Sequence, residues 1–151
     1  MRPEVERMRE ILFRGKRLDN GKWAFGSYYY QKKCYGDDCD RHFIITSSEA
    51  LGYDQALEYA EVDPDTIGQF ANTFVRGVRL FEGDIIQVTQ GACDVKVTRV
   101  CRIKFCLYDG TPGFCAVDSY GTKRGLCEMN GAKIIGTIHD NPKLLEVTPD
   151  A

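Results

Sequence analysis

The run Phe81-Glu82-Gly83-Asp84-Ile85-Ile86-Gln87-Val88 constrains this chain more than any other segment. A glycine between two carboxylates opens a turn, and the apolar residues that follow read as the entrance to a strand. The short side chain of Asp84 suits nearby backbone N–H groups, so Glu82 and Asp84 are expected to build the turn rather than to catalyse. Downstream, Val95 to Phe105 alternates apolar and polar residues as a half-buried strand does. Tyr108 to Gly113 turns the chain into Phe114-Cys115-Ala116-Val117, and Ala132 to Ile138 reads as one more strand before Asp140-Asn141-Pro142 ends it. Short antiparallel strands eliminate exposed edges by closing on themselves. The segment from about 80 to 138 is therefore expected to form a small SH3-like β-barrel.

The first half reads as a hairpin subdomain from about 11 to 70, packed on the barrel, to give a mainly β chain with one or two short helical turns. Ile11 to Leu18 leads to Asn20-Gly21, a pair that tolerates positive φ at both centres of a type I′ turn, and Trp23 to Tyr30 returns as an aromatic strand. Gln31 to Arg41 is a polar loop before the strand His42-Phe43-Ile44-Ile45-Thr46. Ser47 to Ala60 suits a helix start, a loop or a strand equally. Asp63-Pro64 marks a capped turn, since the aspartate accepts from N–H groups and the proline pre-sets φ. Residues 1–10 are expected to be a flexible N-terminus and 146–151 a tail.

Composition narrows the function classes. A net charge of −2 offers no general attraction to phosphate backbones or anionic membranes. No apolar run is long enough to span a bilayer, and the first residues are charged where a signal peptide needs an apolar stretch, so a cytoplasmic location is expected. The 7 cysteines are an odd number without an export signal, and are expected to be mostly reduced thiols that behave as small buried hydrophobes.

Four segments in order, Phe13 to Lys16 with Asn20 to Trp23, Glu61 to Phe70, Phe81 to Ile86 and Ile135 to Leu145, resemble the YopX family. The resemblance spans residues 11–145 and implies a single, mainly β domain. It also implies a setting in phages, prophages and other mobile elements, with no established biochemical activity. Ala71 to Gly77 departs from the family pattern, and the loop Cys34 to Asp40 lies outside the shared segments.

Candidate chemistry is sparse. Cys34, Cys39 and His42 have ligand character and Asp37, Asp38 and Asp40 lie nearby, but a structural zinc site needs a fourth ligand and no second Cys-x2-Cys knuckle supplies it. They are weak candidates, and no metal or cofactor is expected. His139-Asp140 lacks a nucleophile to complete a catalytic geometry, and Asn141-Pro142 favours a turn there. No enzyme is expected. The aromatic run from Trp23 to Tyr35, interleaved with lysines, is the best binding candidate, with Lys22, Trp23, Tyr29, Lys32 and Lys33 as its residues. Alternation sends Trp23, Phe25 and Tyr29 to one side, so about half the rings are expected in the core. The chain thus reads as a non-enzymatic accessory protein acting through protein contacts or self-association, with no small molecule. The alternative is a nucleic-acid-binding module using the same hairpin.

Overall fold

The structure, a computed structural model, describes residues 9–32, 40–51, 54–92, 94–129 and 131–146. Mainly β, it holds two antiparallel sheets and three 3-10 turns, Pro64–Thr66, Leu126–Glu128 and Pro142–Leu145. The chain divides into two compact units, Met1–Asn72 and Thr73–Ala151.

The first sheet is built from β1 (Phe13–Lys16), β2 (Trp23–Gln31), β3 (Arg41–Leu51), β4 (Asp54–Glu61), β5 (Gly68–Val75) and β6 (Val78–Phe81), in the order β4-β3-β2-β1-β5-β6. The β1–β2 hairpin forms where the sequence places it, but through a different turn. The Gly21 N–H donates to the Arg17 carbonyl at 2.9 Å, and the Arg17 N–H to the Lys22 carbonyl at 2.9 Å, which closes a loop of 18 to 21. Only Gly21, at φ +69, is left-handed, so Asn20 does not enter a type I′ turn. Its amide oxygen instead accepts from the Lys22 N–H at 2.9 Å. Positive φ at both turn centres occurs at Arg76-Gly77 and at Asp109-Gly110.

The ambiguous stretch after Ser47 is a hairpin. β3 and β4 pair from Phe43↔Glu61 to Leu51↔Asp54, with a register shift between Ile45 and Ser47. An isolated helical turn there would fix several dihedrals for one hydrogen bond, whereas each added strand pair extends an existing ladder. Ala24, Ile44, Ala60 and Val62 are buried, and Phe13 and Ile67 pack against them. Asp63 caps the turn as its position suggests: its carboxylate accepts from the Asp65 N–H at 3.0 Å. Thr66 ties this turn to β1, since its hydroxyl donates to the Asp63 carbonyl and accepts from the Lys16 N–H.

The second sheet runs β10 (Lys123–Gly125), β9 (Thr111–Asp118), β8 (Val95–Tyr108), β7 (Asp84–Ala92), β11 (Lys133–Thr137). It is open, with β10 and β11 as its edges, so the closed barrel expected over 80–138 is not formed among the described residues. β7 lies between β8 and β11, and Ile85 and Ile86 are both fully buried, so both of its faces are covered. The strand entrance works as its sequence indicates. Gly83 sits at φ +91, its N–H donates to the Ile103 carbonyl, and its carbonyl accepts from the Ile138 N–H. The buried Asp84 carboxylate accepts from the Phe81 N–H at 2.8 Å.

Two expectations for this unit need correction. Val95 to Thr98 are exposed on both faces, and so are Lys104 and Phe105, so the long strand is half-buried only over Arg99 to Ile103. And where the thiols are expected to be mostly reduced and buried, Cys106 and Cys115 form a disulfide and the free Cys127 is exposed, while Cys101 is free and buried. Diagonal placement on neighbouring strands brings Cys106 and Cys115 together, a relation that spacing along the chain does not reveal. Cys101 does behave as a small buried hydrophobe, and burial holds its thiol pKa above the ordinary value, with Asp118 adding to the shift. No helix among the described residues is long and apolar enough to cross a membrane.

Candidate functional site

The first sheet has a packed face and an aromatic one, and strand parity decides which residue joins which. Gly15 opposes Ala24, and Ile44 opposes Tyr28 and Ala60, so small and aliphatic residues share the packed face with Tyr28. Ser27 opposes Ile45, Tyr29 opposes Phe43, and Gln31 opposes Arg41 on the other. Trp23, Phe25 and Tyr29 do share a side, as alternation predicts. That side is not the core: Phe25 is 46% and Tyr29 52% exposed. Nor does the opposite parity bury its rings, since Tyr28 and Tyr30 are exposed as well. The core face is filled by Ala24, Ile44, Ala60 and Val62, with Phe13 and Ile67 packed against them.

At the middle of the aromatic face lies a groove of about 320 Å³ lined by Tyr29, Gln31, Arg41, Phe43, Ile45 and Tyr59. Phe43 forms its buried floor. The Tyr29 ring centroid is 6.3 Å from that of Phe43, and Tyr59 meets Phe43 edge-on at 5.6 Å. Both distances fall in the favourable range for aromatic pairs. Arg41 closes one end. Its guanidinium lies 5.1 Å from the Phe43 ring and donates to both Glu61 carboxylate oxygens, at 2.8 and 3.3 Å.

These hydrogen bonds from Arg41 hold the Glu61 carboxyl below the usual carboxylate range. A depressed folded-state pKa gives stability that is present above the unfolded-state value and is lost as pH falls through the lowered one. With side chains 43% and 34% exposed, the pair contributes under about 1 kcal/mol. Glu61→Gln is thus expected to reduce the stability lost on acidification by no more than that amount, as checked by urea titration at neutral and acidic pH.

The residues singled out from sequence separate. Trp23 is half-buried, with the Arg14 guanidinium 4.3 Å and the Lys16 ammonium 5.5 Å from its ring. Lys22 and Lys32 are exposed immediately before and after β2. Lys33, Cys34 and Cys39 lie outside the described residues. His42 has its Nδ1 hydrogen-bonded to the Tyr28 hydroxyl at 2.7 Å and its ring between Tyr28 and Tyr30. Asp40 accepts a hydrogen bond from the Tyr30 hydroxyl and raises its pKa. Among the described residues no group of three metal-ligating side chains converges. Asp140 belongs to a turn, where its carboxylate accepts from the Thr137 hydroxyl at 3.1 Å.

Sequence reasoning missed Arg41, Phe43 and Tyr59 as parts of this surface. Period-two alternation from Arg41 to Ile45 was the available signal. Tyr59 carried none, because only pairing with β3 assigns its face.

No curated protein matches the chain. Protein EF1440 from Enterococcus faecalis, known from a crystal structure, is similar in fold, with a TM-score of 0.54 at 20% identity, over 91% of this chain and 99% of that one. The family described as YopX protein matches over residues 12–146, which takes in both sheets and the aromatic groove. The chain belongs to the YopX family.

Proposed function

We propose that this protein is a non-enzymatic, cytoplasmic accessory module of a phage, prophage or other mobile element. It acts through protein contacts on the aromatic face of its first sheet, with a second copy of the chain as the first partner to test. One observation carries the reading: Tyr29 and Tyr59 stand 52% and 65% exposed around a buried Phe43. Tyrosines flanking a desolvated apolar centre are the common anchors of protein interfaces. The nearby cations support it too, since Arg14 and Lys16 face Trp23 and Arg41 is paired with Glu61, an arrangement suited to satisfied contacts rather than to phosphate capture. An SH3-like relation for the second unit belongs to the same proposal, with β10 and β11 as the edges that a barrel would bring together.

Light scattering on the purified chain tests this reading. The expected result is a dimer or larger oligomer that Tyr29→Ala combined with Tyr59→Ala converts to monomer with unchanged circular dichroism. A second reading, nucleic-acid binding, is favoured by Lys22 and Lys32 bracketing β2 in exposed positions. A monomer that binds mixed oligonucleotides, with affinity falling steeply as salt rises, replaces the first reading with the second.

A further inference from the structure

Cys106 and Cys115 share one face of the second sheet, and Cys127 follows the edge strand β10 in the turn Leu126–Glu128. Cys106 on β8 and Cys115 on β9 are joined by a disulfide, with Cα atoms 6.7 Å apart. In this ladder Lys104 opposes Cys115 and Cys106 opposes Gly113, so the two cysteines are diagonal neighbours on the same face. On its other side Cys115 opposes Gly125 of β10. Directly opposed residues project to one face with Cβ positions about 4.5–5.5 Å apart, so a side chain at 125 would stand beside Cys115. Glycine leaves that place open. The Cys127 Sγ lies 3.4 Å from the point a Cβ of residue 125 would occupy, and the Tyr108 ring lies 3.8 Å from it. Both are ordinary van der Waals distances, and Gly125 has φ −67 and ψ 146, an extended backbone open to any residue. Neither conformation nor crowding demands glycine here. Its effect is that no side chain stands at position 125, which opposes Cys115 and lies beside the exposed Cys127 thiol.

We infer that these residues form an intramolecular thiol–disulfide exchange site, in which Cys127 takes Cys115 over from Cys106. The Cys127 thiol gives up its proton and its sulfur attacks the Cys115 Sγ. The bond between Cys115 and Cys106 breaks, its electron pair leaves on the Cys106 sulfur, and that sulfur takes up a proton. One disulfide and one thiol stand on each side of the step, so it needs no oxidant or reductant. Burial sets the direction of attack. Cys115 is 1% exposed and Cys106 is half-buried, so attack on Cys115 expels the thiolate at the wetter position, whereas attack on Cys106 would expel a buried one. Cys101 takes no part, because its odd position on β8 projects it to the opposite face from Cys106. The new bond ties β9 to the 3-10 turn Leu126–Glu128, which borders a groove of about 310 Å³ lined in part by Phe74, Arg76, Leu126, Cys127 and Met129. Exchange thereby alters an open groove of the second unit.

The test is disulfide mapping. The oxidised full chain is held at mildly alkaline pH, quenched in acid, alkylated, and mapped by mass spectrometry. The expected result is a growing Cys115–Cys127 pair with alkylation newly appearing at Cys106. In Cys106→Ser treated with oxidised glutathione, Cys115–Cys127 is expected as the main disulfide. Gly125→Val is expected to keep the Cys106–Cys115 bond and to slow exchange by about tenfold or more, because its side chain fills the place beside Cys115 and Cys127 and thiol attack depends on access. A wild-type chain in which, of Cys106, Cys115 and Cys127, only Cys127 stays alkylatable throughout overturns the inference. So does a Cys106→Ser chain whose Cys115 and Cys127 remain unpaired or pair elsewhere, or a Gly125→Val chain that exchanges at the wild-type rate.

Discussion

Gly26→Ala is expected to destabilise the first unit by about 3 kcal/mol or more, the upper end of what overpacking costs. A Cβ built at Gly26 stands 1.8 Å from the Ile45 carbonyl oxygen and 2.8 Å from its carbon. These are backbone atoms of β3, so no rotamer change relieves the clash. The position is where β2 changes neighbours, pairing with β1 through Gly26 and with β3 from Ser27 onward. Relief requires separating β2 from β3, and that uncovers Ile44. Gly21 is the control. It also has positive φ, but nothing lies within 4 Å of its Cβ position, so Gly21→Ala carries only the left-handed backbone cost of about 1–2 kcal/mol. Trp23 is the single tryptophan and lies in the first unit, so its fluorescence during urea unfolding reports on both variants. Equal midpoints for the two would show that the approach of β3 to Gly26 is not as close as described.

The second large effect is expected at Asp84. Its carboxylate is buried and accepts from the Phe81 N–H, so Asp84→Ala leaves that donor without its carboxylate partner in a place water does not reach. The expected cost is about 1–3 kcal/mol, the desolvation penalty of a stranded buried group. Asp84→Asn keeps an acceptor oxygen and is expected to cost less. Hydrogen exchange at the Phe81 amide checks the mechanism directly: protection falls in Asp84→Ala and is largely retained in Asp84→Asn. Loss of stability with unchanged Phe81 protection would assign the effect to another partner of the carboxylate.

Where the interactions are local, the sequence was a good guide. Gly83-Asp84, Asp63-Pro64 and the β1–β2 hairpin all form within a few residues of chain, so turn chemistry is enough to place them. Even here one detail escaped. Asn20 reached the Lys22 N–H with its side chain, and that local bond replaced the type I′ backbone expected of an Asn-Gly pair. The stretch after Ser47 was illegible because its strand character comes from pairing with its neighbour rather than from its own periodicity.

The candidate site was half legible. Period two correctly grouped Trp23, Phe25 and Tyr29, but parity along one strand does not say which face is buried. Tertiary packing decides that: Ala24, Ile44, Ala60 and Val62 are buried on one side, while Phe25 and Tyr29 stand exposed on the other. Membership of the groove likewise depended on Phe43 and Tyr59 lying across the ladder from Tyr29 and Ile45.

The residues by themselves determined a mainly β chain, its principal turns and the family to which it belongs, since each depends on local propensity or on short motifs in order. Only the tertiary structure decided that the second sheet stays open, that the aromatic face looks outward, and that Cys106 meets Cys115 while Cys127 lies beside the space at Gly125. Each of these is a relation between strands distant in sequence. Register and backbone separation fix such relations, and neither quantity is written in the local pattern of any single strand.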